Sequence, residues 1–289
     1  MRRKARWPSR KSACRSGRAA DVAVSMRQVL DDLVAETRVL QDLVADLDDA
    51  AISRPTPAVG WTVRDQLTHL AYFDETATQA AVDPAAFRLA ADALVAGGMD
   101  FPDRVAAEHA TLPAEAVRTW FDRTRHEFVT AFRHLDPKAR LPWYGPDMSA
   151  LSSVTARLME TWAHGQDIAD ALGRDREPTD RLRHIAHLGV QTAAFSFALN
   201  GKPAPAEPIR VELTAASGAV WTWGPAEAAD RVTGTALDFC LVVTQRRHRD
   251  DTDLEVAGPV ATEWLSVAQT FAGSPGTGRA PLSHTGGPS

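Results

Sequence analysis

Apolar residues set the first pattern in this chain. From about Met26 to Leu47, the positions Leu30, Leu33, Thr37, Leu40, Val44 and Leu47 recur at three- and four-residue spacing, which predicts an amphipathic helix. Pro55 and Pro57 end that unit. Thr62 then stands as an N-cap for a helix through about Ala81, with Val63, Leu67 and Leu70 on one face. Pro84 introduces a short helix that stops at Gly97-Gly98, and a brief segment follows Pro102. Pro113 opens a longer helix whose stripe is Val117, Trp120, Phe121, Phe128, Phe132 and Leu135. The loop from Leu141 to Pro146 is rich in rings and turn residues, suited to line a pocket or to cover the core. A helix from about Ser149 to Leu172 closes at Gly173, and another runs from about Thr179 to Leu199. Four long helices with shorter ones between them predict a bundle over residues 26–201.

The texture changes after residue 201. Residues 202–208 carry three prolines and read as a linker. Ile209 to Leu213 and Val220 to Trp223 alternate apolar and polar around Ser217-Gly218, which predicts a β-hairpin. Gly234 to about Arg247 reads as helix, Leu254 to Val256 as a strand, and Val260 to Phe271 as a last helix. Residues 209–272 are thus expected to form a small α+β domain, and the fold class is α plus α+β. Residues 1–25 and 273–289 are expected to be disordered tails on composition.

Charge sharpens this division. Residues 1–18 hold eight Lys and Arg and no acid, which leaves −13 on the rest of a chain whose net charge is −5. An acidic body argues against nucleic acid as the main partner. The tail has no apolar core of a secretory signal, and no apolar run is long enough to span a bilayer. Cys14 and Cys240 are the only cysteines, so neither a disulfide framework nor a cysteine zinc site is expected, and a reducing cytoplasm fits. Met26, at the head of the first stripe, is a second candidate start of translation.

The helix 149–172 carries the candidate chemistry. Glu160 and His164 are four apart, so their side chains stand one turn apart on the same face. A carboxylate and an imidazole so placed can hold one divalent metal, with a third ligand from another helix and one position left open. In projection Leu151, Val154, Leu158, Trp162, Gly165, Ala169 and Leu172 form the apolar face. Glu160, His164 and Asp167 lie opposite, among Ser153, Ala156, Ala163 and Ala171 and without Lys or Arg; Arg157 sits at the margin. Small residues around acids and a histidine suit a cleft wall. Asp167 is expected to hold the free ring nitrogen of His164. His184 and His187 are a further pair at helical spacing, read as a solvated face beside Arg181 and Arg183.

Gly60-Trp61-Thr62-Val63-Arg64-Asp65-Gln66-Leu67-Thr68-His69-Leu70 resembles a signature of the mycothiol-dependent maleylpyruvate isomerase family, within the wider DinB-like metal-binding bundles. Glu160 through Gly173 is similar to that family's second motif. The resemblance covers about residues 26–272 and implies zinc, or another divalent metal such as nickel or iron, held by His69, Glu160 and His164. It implies mycothiol as the thiol cosubstrate, whose thiolate adds to an activated alkene or attacks an electrophile. The stretch Gly234 to Arg247 resembles a helix of the family's sterol-carrier-like C-terminal domain, ending in an arginine that engages substrate. Arg246 is the match and is expected to pair with a substrate carboxylate, although Gln245 replaces the usual glycine. The alternatives are a non-catalytic metal-binding protein, or a protein associated with wyosine base formation in transfer RNA, which residues 234–272 resemble.

Overall fold

A computed structural model describes residues 24–282. The basic stretch 1–18 and the last seven residues lie outside the described residues, as do the expectations placed on them. The N-terminal part consists of α1 (Met26–Val44), α2 (Asp49–Ile52), α3 (Val63–Val82), α4 (Pro84–Ala96), α5 (Phe101–Glu108) and α6 (Ala114–Phe132). A two-residue ribbon follows, β1 (Arg140–Leu141) paired antiparallel with β2 (Met148–Ser149), and then α7 (Ala150–Leu172), α8 (Leu182–Gln191) and α9 (Ala193–Leu199). Local chemistry sets the ends. Ser25 caps α1, Ser149 caps α7, and Gly173 ends α7 in the left-handed region at φ 62°.

The four longest helices, α1, α3, α6 and α7, form the bundle, with α3 against α6 and α7, and α1 against α7. A buried polar network joins all four. Asp74 of α3 accepts from Arg125 Nε of α6 at 2.7 Å and from Arg157 Nε of α7 at 2.8 Å. Arg125 also donates to the hydroxyls of Thr37 on α1 and Thr161 on α7. Arg157, placed by helical projection at the margin of the Glu160/His164 face, is buried in an interior ion pair.

The helix expected over 179–199 is broken. Thr192 turns its hydroxyl back to the carbonyls of Leu188 and Gly189, at 2.9 and 3.1 Å, and separates α8 from α9.

The C-terminal part holds β3 (Ile209–Thr214), β4 (Val220–Trp223), β5 (Asp230–Thr235), α10 (Ala236–Val243), β6 (Glu255–Ala257) and α11 (Pro259–Val267). Its sheet has the order β4-β3-β5-β6, with β3 parallel to β5 and the other pairs antiparallel. Strand β5 was not expected, because only Val232 in its centre is a large apolar residue. The chain therefore joins a helical bundle to a mixed α/β region, and one buried cluster runs through both, from Leu158 and Trp162 to Val211, Phe239 and Trp264.

Residues 273–282, expected to be disordered, carry no regular element yet make specific contacts. Arg279 donates to Pro57 O and to Asp167, and Leu282 N donates to the Asp251 carboxylate.

Candidate metal centre

The segment before α3 gives each of its residues a task. Gly60 adopts φ 83°, which turns the chain ahead of Trp61. Thr62 and Asp65 form a reciprocal cap at the start of α3. Arg64 ties the loop before α6 through Leu112 O at 2.9 Å and Ala110 O at 2.8 Å. So anchored, α3 presents Gln66 and His69, one turn apart, toward α7.

Glu160 and His164 of α7 meet them there. His164 Nε2 lies 2.9 Å from Glu160 Oε2, and His69 Nε2 lies 3.6 Å from the same oxygen. One ligand atom from each of the three residues falls within 4.8 Å of the others. Trp61 lies nearly parallel to the His164 ring at 5.9 Å, and Phe73 lies 4.5 Å from the His69 ring. These rings pack against the two imidazoles.

A directed chain of hydrogen bonds sets the tautomer of His164. Thr56 Oγ1 gives its proton to Trp61 O at 2.9 Å, so the Thr56 hydroxyl oxygen itself accepts from Gln66 Nε2, also at 2.9 Å. The amide is thereby oriented with Gln66 Oε1 toward His164 Nδ1, which donates to it. Nε2 of His164 is left as a bare lone pair facing a carboxylate oxygen. Two electron-rich atoms directed at one another fit a cation held between them. His69 Nδ1 is buried without a hydrogen-bond partner, which again marks a polar group awaiting a counterpart.

The charge states suit ligation. Burial lowers the His69 pKa, against the opposing pull of Glu160. Burial, then the neighbouring His69, takes His164 down to about 4. For Glu160, burial opposes ionisation, but the neighbouring His164 and His69 outweigh it and hold the carboxyl well below its ordinary range. At neutral pH the set is two neutral imidazoles and a carboxylate, the donor set of a catalytic divalent site with an open position.

Asp167 does not hold His164. It lies fully buried one turn further along α7, where Oδ2 takes Arg246 Nη2 at 2.9 Å and Oδ1 takes Arg279. Gln66 holds the ring instead, because it reaches Nδ1 from α3 while Asp167 points to the C-terminal part. The guanidinium expected to receive a substrate carboxylate is thus committed to Asp167 and to Thr244 O. His184 is not solvated; it is buried, with Nε2 2.7 Å from Asp32 on α1, and His187 Nδ1 accepts from Trp223 Nε1 at 3.1 Å. The sequence reading missed Gln66 as a partner, although its place one turn before His69 was a signal.

Gln66→Leu keeps the volume and removes the amide. It is expected to weaken divalent-metal affinity about 10–100-fold, read by chelator competition, with far-UV circular dichroism unchanged. Unaltered affinity would remove Gln66 from the site.

The fold is a helical bundle of the DinB-like class followed by a mixed α/β region, and the bundle carries a His/His/Glu cluster that could hold a metal ion. A model of the mycothiol maleylpyruvate isomerase N-terminal domain matches residues 33–169, and a model described as wyosine base formation matches residues 205–255. Two proteins of Mycobacterium tuberculosis, from strains CDC 1551 / Oshkosh and ATCC 25618 / H37Rv and both described as uncharacterized, are each 49% identical over 251 residues, covering 86% of this chain and 96% of the relative. A crystal structure of the mycothiol-dependent maleylpyruvate isomerase aligns with TM-score 0.56 at 16% identity, over 82% of this chain and 96% of that one. A histidine-to-alanine mutant of that isomerase aligns with the same TM-score at 15% identity. The chain belongs to one family with the two Mycobacterium tuberculosis proteins, and its residues 33–169 are homologous to the mycothiol maleylpyruvate isomerase N-terminal domain. Among the described residues no helix is long and apolar enough to cross a membrane.

Proposed function

We propose that this protein is a metal-dependent enzyme that uses a small-molecule thiol for cis/trans isomerisation or S-transfer on a small acidic or electrophilic substrate. Zinc is the metal of this reading and mycothiol the thiol. The observation that carries it is the convergence of His69, Glu160 and His164 at the edge of a cavity that Glu160 helps to line. A divalent cation bound there supplies a lowered pKa for a coordinated thiol, so that thiolate is available at neutral pH. The protein's own residues do the rest. Gln66 fixes the His164 ring, while Trp61 and Phe73 pack against the two imidazoles. Cys240 is no rival nucleophile: it is fully buried, its Sγ turned to Leu182 O, and burial pushes its thiol pKa up.

The test is thiol consumption with a panel of activated alkenes and alkylating electrophiles. Turnover is expected with metal-loaded protein and is expected to vanish after chelation. Metal bound with no turnover across the panel would favour non-catalytic metal binding. The wyosine base formation match over residues 205–255 supports a transfer RNA role as a second reading, which retarded migration of transfer RNA with the protein at physiological salt would favour.

A further inference from the structure

A cavity of about 590 Å³ opens beside Glu160, within the range that holds small organic ligands. It lies between α7, the loop joining β1 to β2, helices α8 and α9, and the segment after α11. Trp143, Leu151, Met159, Phe195 and Phe271 give it broad apolar walls. Hydroxyls and an amide, such as Thr155 and Gln191, are its neutral polar points.

Ionisable side chains are few in this lining: Arg157, Glu160 and His187. Arg157 gives Nε to Asp74 and Nη2 to Leu70 O at 3.1 Å. Asp74 is the carboxylate that both Arg125 and Arg157 engage. Arg246 is not in the lining; it is held on Asp167. A carboxylate laid along Trp143, Phe195 and Phe271 would lose water and gain no ion-pair partner from those walls. An apolar body would gain by burial.

We infer that the electrophile taken by this site presents an extended, uncharged apolar body that seats along Trp143, Phe195 and Phe271. Naming it an electrophile rests on the thiol chemistry proposed above; its fit to the cavity does not.

The experiment titrates the full chain, kept metal-free with chelator, with two fluorescent probes, neutral 6-propionyl-2-(dimethylamino)naphthalene and anionic 6-(dimethylamino)-2-naphthoate. The neutral probe is expected to bind with blue-shifted emission, roughly tenfold or more tighter than the anion. Phe195→Arg is expected to weaken the neutral probe and strengthen the anion. Ala156→Leu fills the cavity from a helical position that tolerates leucine and is expected to weaken both. Equal or tighter binding of the anion overturns the inference, as does neutral binding that neither variant alters. His69→Ala separates the two readings. Retained neutral binding in that variant, with no turnover by any metal-loaded protein, would sink the thiol chemistry and leave the cavity assignment standing.

Discussion

His69→Ala is expected to empty the metal centre. The purified protein should carry roughly one divalent ion per chain, and the variant close to none by elemental analysis. The histidine is the ligand that α3 contributes; without it only Glu160 and His164 remain, both on α7 and one turn apart. Two donors from one helix leave a cation open to water and to chelators. Metal binding to the folded chain also stabilises it, by about 2.7 kcal/mol when free metal is at 100 times its dissociation constant. Chelation should therefore lower the melting temperature of the parent protein and leave that of His69→Ala unmoved. His184→Ala is the matched control. His184 reaches Asp32 on α1 and not the cluster, so its loss should cost stability without costing metal. Metal retained in His69→Ala, or lost in His184→Ala, would show that the ion is held elsewhere.

The bundle was legible because several local signals agreed. The stripe of α1, the Thr62 cap of α3 and the Gly173 stop of α7 each fell where the structure has them. The candidate centre was legible in part: helical projection put Glu160 and His164 on a wall lined by small residues, and motif resemblance supplied His69. What projection cannot supply is the neighbour on another helix. It gave His164 to Asp167, one turn along the same helix, when the ring goes to Gln66, 98 positions away in sequence. It put Arg157 at the margin of the Glu160/His164 face without its partner for the same reason, since Asp74 lies on α3. Strand β5 escaped because a short strand with little apolar alternation gives no period to detect, and the break between α8 and α9 because a threonine within an apolar run is locally compatible with helix.

Asp74→Ala is expected to be the most destabilising single substitution in the bundle, at about 3–5 kcal/mol. Asp74 is fully buried and is the carboxylate shared by Arg125 and Arg157, themselves 4% exposed. Its removal strands two guanidiniums in the interior. Arg125 keeps only the hydroxyls of Thr37 and Thr161, and Arg157 the Leu70 carbonyl, which are dipoles and not countercharges. Urea unfolding in the presence of chelator measures this without the contribution of bound metal. A loss below about 1 kcal/mol would mean that water reaches the arginines and that the network is not an interior one. The triple variant Asp74→Leu, Arg125→Met, Arg157→Met removes the charges together, and apolar replacement of a whole buried network is often neutral or stabilising. It should recover most of the lost stability. Its metal affinity should nevertheless stay below that of the parent, because the ion pairs fix α3 against α7 and these two helices carry all three candidate ligands. Full affinity in a stable triple variant would limit the network to stability and leave the placement of the ligands to apolar packing alone.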